Sequence, residues 1–327
     1  LKDMNSELAC SLNPEFKSEP NFDSLFKLTI TSDDDIPMNK RGSGVRRLLL
    51  LNFFRAEAER QLNEAEKNNS IIYAKYIKNI KYRTLYPQKN IPVLFYFHGY
   101  PASSRNWLEK STFSSLGYDI VAIDFRNQGG KSKDLGNSAP SVFGHLTVGL
   151  DENIEDMIFY KNILDTLILS KIVSTFKDIN EKEIVSFGAS QGGAFSIIFS
   201  ALNKNVTKCI SLYPFLANFK NIYEKDNRKN AYGELTHHAR WFNTNGDNTK
   251  KFLNNLYYLD ILNFTKNLNC SVLFGITNLD EDCPKETQEK IYNEITSRKK
   301  ACIYKKYYHE NIPNFNDEIV TFLLDVE

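Results

Sequence analysis

From about residue 71 onward the chain repeats one texture, short β-rich apolar runs separated by longer amphipathic stretches, and this constrains its fold more than any other feature. The apolar runs fall at residues 71–77, 91–97, 118–125, 184–187, 206–213, 270–276 and 301–307. They are short and apolar nearly throughout, as strands covered on both faces read. Between them, residues 151–173, 192–202, 285–296 and 314–324 carry helical patterns. Strand alternating with helix predicts an α/β fold, a mostly parallel sheet with helices on both faces. Residues 213–264 break the rhythm with aromatic-rich helical sequence and no strand pattern, which predicts a helical cap insertion at about 214–264.

The first 70 residues read differently. Residues 1–45 are polar and broken by Pro14, Pro20, Pro37, Gly42 and Gly44, so they read as an arm with little core of its own. Residues 46–67 suit a helix, although 48–51 read equally well as a strand. As a helix this segment carries Leu48, Leu51, Phe54, Ala58 and Leu62 as an apolar stripe, which must be covered by its own domain or by a neighbouring subunit. The division expected is an arm and helix at 1–70 and a main domain at 71–327.

Charge narrows the partners. Lys and Arg total 41 against 40 Asp and Glu, a net charge of +1, without the basic excess of nucleic-acid or acidic-membrane binders. No apolar run approaches the roughly 18 residues that span a bilayer, and the first 20 residues hold no apolar stretch of the secretory type. Five widely spaced cysteines, Cys10, Cys209, Cys270, Cys283 and Cys302, form no C-x-x-C pair. Free thiols and a cytoplasmic location are expected.

Chemistry concentrates at Gly188-Ala189-Ser190-Gln191-Gly192, a G-x-S-x-G motif set between a strand pattern ending at Phe187 and a helix pattern starting at Gly193. In a strand–turn–helix elbow the serine takes a strained backbone conformation that lifts its hydroxyl above the sheet. A serine hydroxyl needs a base. Of the five histidines, His98, His145, His237, His238 and His309, only His309 follows the last strand, where the chain order Ser…Asp…His places the base. The acid belongs in the loop after the strand at 270–276, which offers Asp280, Glu281 and Asp282, and periodicity does not choose among them. Two N–H donors should stabilise the developing oxyanion: that of Gln191, directly after the serine, and that of Tyr100, in the loop after the strand at 91–97. Such chemistry needs no cofactor. Glu234 and His238 are spaced i, i+4 on a helical pattern with His237 beside them, but no third ligand is evident and no metal site is expected.

Taken in order, these motifs resemble one family. Phe97-His98-Gly99-Tyr100, Asp124-Phe125-Arg126-Asn127-Gln128-Gly129, Gly188-Ala189-Ser190-Gln191-Gly192-Gly193 and His309-Glu310 resemble the acetyl xylan esterase / cephalosporin-C deacetylase family, carbohydrate esterase family seven of the α/β-hydrolase superfamily. Supporting stretches are His145-Leu146-Thr147, Tyr258-Leu259-Asp260 and Asp280 three residues before Cys283-Pro284. The resemblance runs from about residue 71 to the C-terminus. It implies an α/β-hydrolase fold with Ser190, Asp280 and His309 as triad, Tyr100 in the oxyanion hole, and Arg126 and Gln128 supporting the active-site loops. It also implies removal of O-acetyl groups from small acetylated carbohydrates, and a homo-oligomer, a hexameric ring ahead of a dimer. Asn127 stands where the family motif has glycine, and Lys285 where it has a second proline. The competing readings are a peptidase of the prolyl-oligopeptidase type, a general carboxylesterase and a non-catalytic binding protein. The peptidases usually carry an N-terminal propeller, which 70–90 residues cannot build.

Overall fold

Strands apolar on both faces require cover on both faces, and here they receive it. The structure, a computed structural model, describes residues 43–63, 70–134, 140–226 and 230–325. In chain order the elements are α1 (Ser43–Asn63), β1 (Ala74–Ile77), α2 (Ile80–Leu85), β2 (Ile91–Phe97), α3 (Trp107–Ser115), β3 (Asp119–Ile123), α4 (Ile158–Ser174) and β4 (Ile179–Ala189). There follow α5 (Gln191–Leu202), β5 (Val206–Leu212), α6 (Phe219–Glu224), α7 (Gly233–Phe242), α8 (Thr249–Leu259), β6 (Ser271–Thr277), α9 (Lys285–Glu294), β7 (Lys299–Tyr304) and α10 (Pro313–Leu324). One seven-stranded sheet has the order β1-β3-β2-β4-β5-β6-β7. Only β1 runs antiparallel to its neighbour, and the other pairings are parallel, with Leu94 opposite Val185, Ser186 opposite Cys209 and Phe274 opposite Ala301.

Every residue of β3 is buried, as are all of β5 but Thr207 and Lys208 and all of β6 but Ser271. Parallel strands of this kind lie inside a three-layer arrangement. Aromatic rings pack between α5 and the sheet it covers. There the Phe95 and Phe199 rings sit 4.8 Å apart, and those of Phe125 and Phe195 sit 4.2 Å apart. All residues of α5 are buried, which a helix with an apolar surface on every side requires.

The expected insertion is helical: between β5 and β6 the chain passes through α6, α7 and α8 with short 3-10 turns and no strand among the described residues. Three expected boundaries need correction. Strand β1 begins at Ala74 rather than at residue 71, because Ile71 makes only an isolated bridge to Lys133. Helix α4 begins at Ile158 rather than at 151, because a separate 3-10 turn occupies 154–156 before it. Strand β4 begins at Ile179, five residues early, through polar sequence that pairs with the start of β2 across a register shift. Two helices, α2 and α3, were not anticipated; only two of the nine α3 side chains are buried, so no apolar stripe marked them.

The segment before the sheet is a helix, not a strand, and it packs on its own domain. Leu50, Leu51, Phe54 and Ala58 of α1 are buried, with the Phe54 ring 5.3 Å from that of Tyr160 on α4 and 5.9 Å from that of Phe264. Leu48 and Leu62 lie among residues whose side chains are outside the described set. Arg55 donates from Nε to the Leu202 carbonyl (2.5 Å) and from Nη2 to that of Ala201 (3.2 Å), satisfying carbonyls at the end of α5 that lack intrahelical partners. Because Phe54 is fully enclosed, Phe54→Ala should cost about 3–5 kcal/mol. Urea unfolding of the pure protein measures this, and a loss below about 1 kcal/mol would mean that the helix is only loosely docked.

Candidate active site

The elbow follows from the meeting of β4 with α5. Ser190 sits between them at φ 58°, ψ −121°, a conformation that side chains rarely adopt. Two glycines permit it. A Cβ on Gly188 would lie 2.3 Å from the Gly192 carbonyl carbon, and one on Gly192 would lie 2.1 Å from the Phe97 carbonyl oxygen. Both clashes are with backbone, so neither position tolerates a side chain without displacing the turn. The same close approach sets the start of α5 against the end of β2. A Cβ on Gly99 would be 3.9 Å from the Ser190 Cβ, which places the 98–100 loop beside the serine.

On the other side of Ser190 lie the loops after β6 and β7. His309 Nδ1 is 2.8 Å from Asp280 Oδ2. The other oxygen of Asp280 accepts from the backbone N–H of Asp282 (2.9 Å) and of Cys283 (2.8 Å), and Thr277 Oγ1 donates to Oδ2 (3.1 Å). Of the three acidic side chains in the loop, Asp280 is thus the one on the histidine; Asp282 contributes its backbone N–H. With Nδ1 directed at the carboxylate, Nε2 is the nitrogen left to exchange a proton. The Tyr213 ring, 4.5 Å from that of His309, flanks the imidazole. Lys285, despite replacing a proline, opens α9 directly after Pro284, and Gln288 of α9 ties the acid loop together through Thr277 N (3.0 Å) and the Cys283 carbonyl (2.5 Å).

Cys283 was read from the sequence only as a buried thiol and a spacing marker. Its side chain is buried, and its sulfur, an Asp280 oxygen and a His309 nitrogen lie within 4.8 Å of one another. Burial, and then the negative charges of Asp280 and Asp282, push the thiol well above its ordinary pKa, so it stays protonated. No sequence signal marks this proximity, because it arises where two loops meet.

The donor side is fixed by polar side chains at the ends of β2 and β3. Gln191 is the first residue of α5, so its N–H has no intrahelical acceptor. The Gln191 and Gln128 amides bond reciprocally at 2.8 and 3.0 Å, and Gln191 Nε2 also reaches the His98 carbonyl at 3.3 Å. Arg126 points away from the serine. It forms a bidentate pair with Asp165 (2.7 Å to each oxygen) and donates to Asp134 (3.0 Å), which also accepts from Lys161 (2.9 Å). These bonds tie the 126–134 loop to α4. Asn127 takes φ 55°, the left-handed conformation that glycine favours and asparagine tolerates. The loop therefore keeps a glycine-like backbone, and the added Oδ1 accepts from Asp134 N at 2.9 Å.

Glu234, His237 and His238 do not come together. Glu234 turns inward to Tyr100, His238 Nε2 contacts Asp151 at 2.7 Å, and His237 sits by Phe143 with ring centroids 6.1 Å apart. Among the described residues the only three-ligand grouping is Asp280, Cys283 and His309, in which the histidine is already bonded to the carboxylate. The four described cysteines are free and buried, and Cys10 lies outside the described residues.

An elbow serine at the carboxyl edge of a parallel sheet, with a histidine–carboxylate pair in the loops after the last two strands, is the arrangement of the α/β-hydrolase fold. The chain belongs to the acetyl xylan esterase (AXE1) family, whose sequence model matches residues 57–326. It is similar to acetyl esterase Axe7A of Xylanibacter ruminicola, 26% identical over 195 residues, or 59% of this chain and 42% of that protein. The match thus spans less than half the length of that curated relative. Among solved structures, acetyl xylan esterase 1 from Thermoanaerobacterium sp. JW/SL YS485 superposes with a TM-score of 0.71 at 29% identity, covering 84% of this chain and 93% of that one. The acylaminoacyl peptidase of Pyrococcus horikoshii shares the fold more distantly, with a TM-score of 0.55 at 18% identity over 79% of this chain and 40% of that one. A second family model, the AAA ATPase domain, matches residues 1–74, a stretch that contains no G-x-x-x-x-G-K-[S/T] phosphate loop.

The buried end of β2 carries a pH signature. Phe125 N–H donates to His98 Nε2 (3.0 Å), so the imidazole proton sits on Nδ1, facing the Gly99 carbonyl (2.8 Å). Burial pushes this imidazole down to about 4, against the pull of the Gly99 carbonyl and the Asp124 charge. The unfolded histidine takes up its proton near pH 6.5, so its contribution to stability is complete above that pH and is lost as pH falls towards 4. The loss should reach about 3 kcal/mol. Urea unfolding at a series of pH values measures it, and His98→Gln, which keeps an acceptor for Phe125, should flatten that part of the profile. Identical slopes in mutant and wild type would contradict the assignment.

Proposed function

We propose that this protein is a serine esterase that removes O-acetyl groups from small acetylated carbohydrates. Membership of the acetyl xylan esterase family, together with Asp280 and His309 set against an elbow Ser190, carries the reading. In this reading Ser190 Oγ attacks the acetyl carbonyl carbon while His309 Nε2 takes the hydroxyl proton. The carbonyl oxygen becomes an oxyanion that accepts from the N–H groups of Tyr100 and Gln191, a contribution of about 2.7–4 kcal/mol per donor. The tetrahedral intermediate then breaks its C–O bond to the sugar, His309 returns the proton to the departing alcohol, and acetyl-Ser190 remains. Water attacks that ester, giving its proton to His309; the bond to Ser190 Oγ then breaks, His309 returns the proton to that oxygen, and acetate leaves. Asp280 holds the imidazole in the required tautomer and stabilises its charged form. No metal or cofactor enters any step.

A short acyl group suits the surroundings. Phe215 N–H donates to the Ser190 carbonyl (3.0 Å), and its ring stacks on Tyr100 at 6.0 Å, so bulky rings border the serine. Two extra methylenes would overpack such a site, at a cost of about 1–3 kcal/mol. A homo-oligomer, a hexamer ahead of a dimer, and a reducing cytoplasmic setting are part of this reading; light scattering tests the first, and a mass near one 37.7 kDa chain would overturn it.

The decisive experiment compares p-nitrophenyl acetate, p-nitrophenyl butyrate and acetylated xylo-oligosaccharides. Acetyl esters should be preferred by roughly tenfold or more over butyryl. Faster butyryl turnover would point to a general carboxylesterase instead. Ser190→Ala should fall to background while remaining folded. Asp280→Asn should lose about ten-thousandfold in kcat, and Asp282→Asn should change little. If these last two were reversed in severity, the acid would have to be reassigned.

A further inference from the structure

Glu234 is the one deeply buried carboxylate of the insertion that reaches the catalytic side of the sheet, and nothing in the reaction above uses it. It lies in the first turn of α7 and is 2% exposed. One of its oxygens accepts from the Tyr100 hydroxyl, and the other accepts from Leu146 N–H at 2.9 Å. The Tyr100 hydroxyl in turn accepts from His145 N–H (3.2 Å), and His145 Nε2 donates to the Asn127 carbonyl (2.9 Å). An unbroken chain of contacts therefore runs from the insertion, through the phenol of Tyr100, to the 126–128 loop. The insertion is fastened to the 150–152 segment as well, through His238 on Asp151 (2.7 Å) and Asn255 Nδ2 on the carbonyls of Leu150 (2.9 Å) and Glu152 (3.0 Å).

A carboxyl group at this depth is costly to bury and raised in pKa by that burial, where an apolar side chain would pack without such cost. What the carboxylate adds is direction. Two acceptor oxygens fix both the phenol and the backbone at 146, and the phenol is the far end of the residue whose backbone N–H faces the developing oxyanion.

We propose that Glu234 is a positioning residue for the oxyanion hole, holding Tyr100 by its hydroxyl so that the Tyr100 N–H is aligned on the acyl oxygen. The inference rests on the esterase reading of the site. Glu234→Gln keeps the shape but sets an amide NH2 against one of two donors, and Tyr100→Phe cuts the same bond from the other side.

The test is a double-mutant cycle on p-nitrophenyl acetate with wild type, Glu234→Gln, Tyr100→Phe and the double variant. Each kcat is expressed per active serine, counted by stoichiometric labelling with a fluorophosphonate, so that partial misfolding does not register. Each single variant should lose about tenfold in kcat, the worth of one hydrogen bond, with KM within about twofold. The double variant should lose no more than Tyr100→Phe alone, because that change already removes the bond that Glu234→Gln breaks, along with the phenol's contacts to His145. Wild-type kcat per labelled serine in either single variant, or losses that multiply in the double, would overturn the proposal. If Glu234→Gln yields no folded protein, Tyr100→Phe alone decides by the same criterion. A wild type that neither turns over the ester nor takes the label would instead defeat the esterase reading, and this inference with it.

Discussion

The arrangement depends on one close approach, the start of α5 lying against the end of β2 with no side chain between them. Gly192 provides that contact, and Gly188 lets the turn before it fold back on the helix. Were either to carry a Cβ, the helix would have to move outward. Ser190 would then leave its strained conformation, and Gln191 would no longer share a wall with the 98–100 loop. The strain at Ser190 persists because its surroundings over-determine it: its N–H donates to the Leu212 carbonyl, and its own carbonyl accepts from Ala194 and Phe215. The Ser190 backbone is thus held by three backbone hydrogen bonds, independently of the side chains around it.

Around that point the chain uses buried charge as fastening. Asp124 accepts from Ser104 N (2.8 Å), Ser104 Oγ (2.6 Å) and Lys131 N (2.9 Å), joining the loops that follow β2 and β3. Burial alone would raise this carboxyl, but these donors outweigh it and hold it below its ordinary range. The Arg126–Asp165–Asp134–Lys161 cluster does the same one layer further out. Such networks are worth little as net stability against apolar packing, yet removing one member leaves an uncompensated buried charge, at about 3–5 kcal/mol. They fix loop geometry, which is what an oxyanion site needs.

The positions that were readable in advance are those that follow from chain order. Ser190 sits between a strand pattern and a helix pattern, and His309 follows the last strand, so both could be placed without coordinates. Asp280 could not be separated from Glu281 and Asp282 by pattern. The choice is made by a loop that folds back to give Asp280 two backbone donors, and only family resemblance pointed to it beforehand. Cys283 and Glu234 were unreadable in another way. Each was visible as a residue, but the sequence holds nothing about which loop or helix face meets the Asp280–His309 pair or Tyr100. The exposed helix α3 escaped notice because too few of its side chains are buried to leave a period. Asn127 was readable as a departure from glycine, while its retention of positive φ was not.

The central claim is that Ser190 carries the acyl group through a covalent intermediate, and the most direct measurement is to catch it there. Wild-type protein mixed with saturating p-nitrophenyl acetate and quenched in acid within its first turnovers can be read by intact-mass and peptide mass spectrometry. The account predicts a single added acetyl group, located on the peptide that contains Ser190 and absent from Ser190→Ala. Steady turnover with no covalent acetyl, or an acetyl group on a different residue, would contradict it.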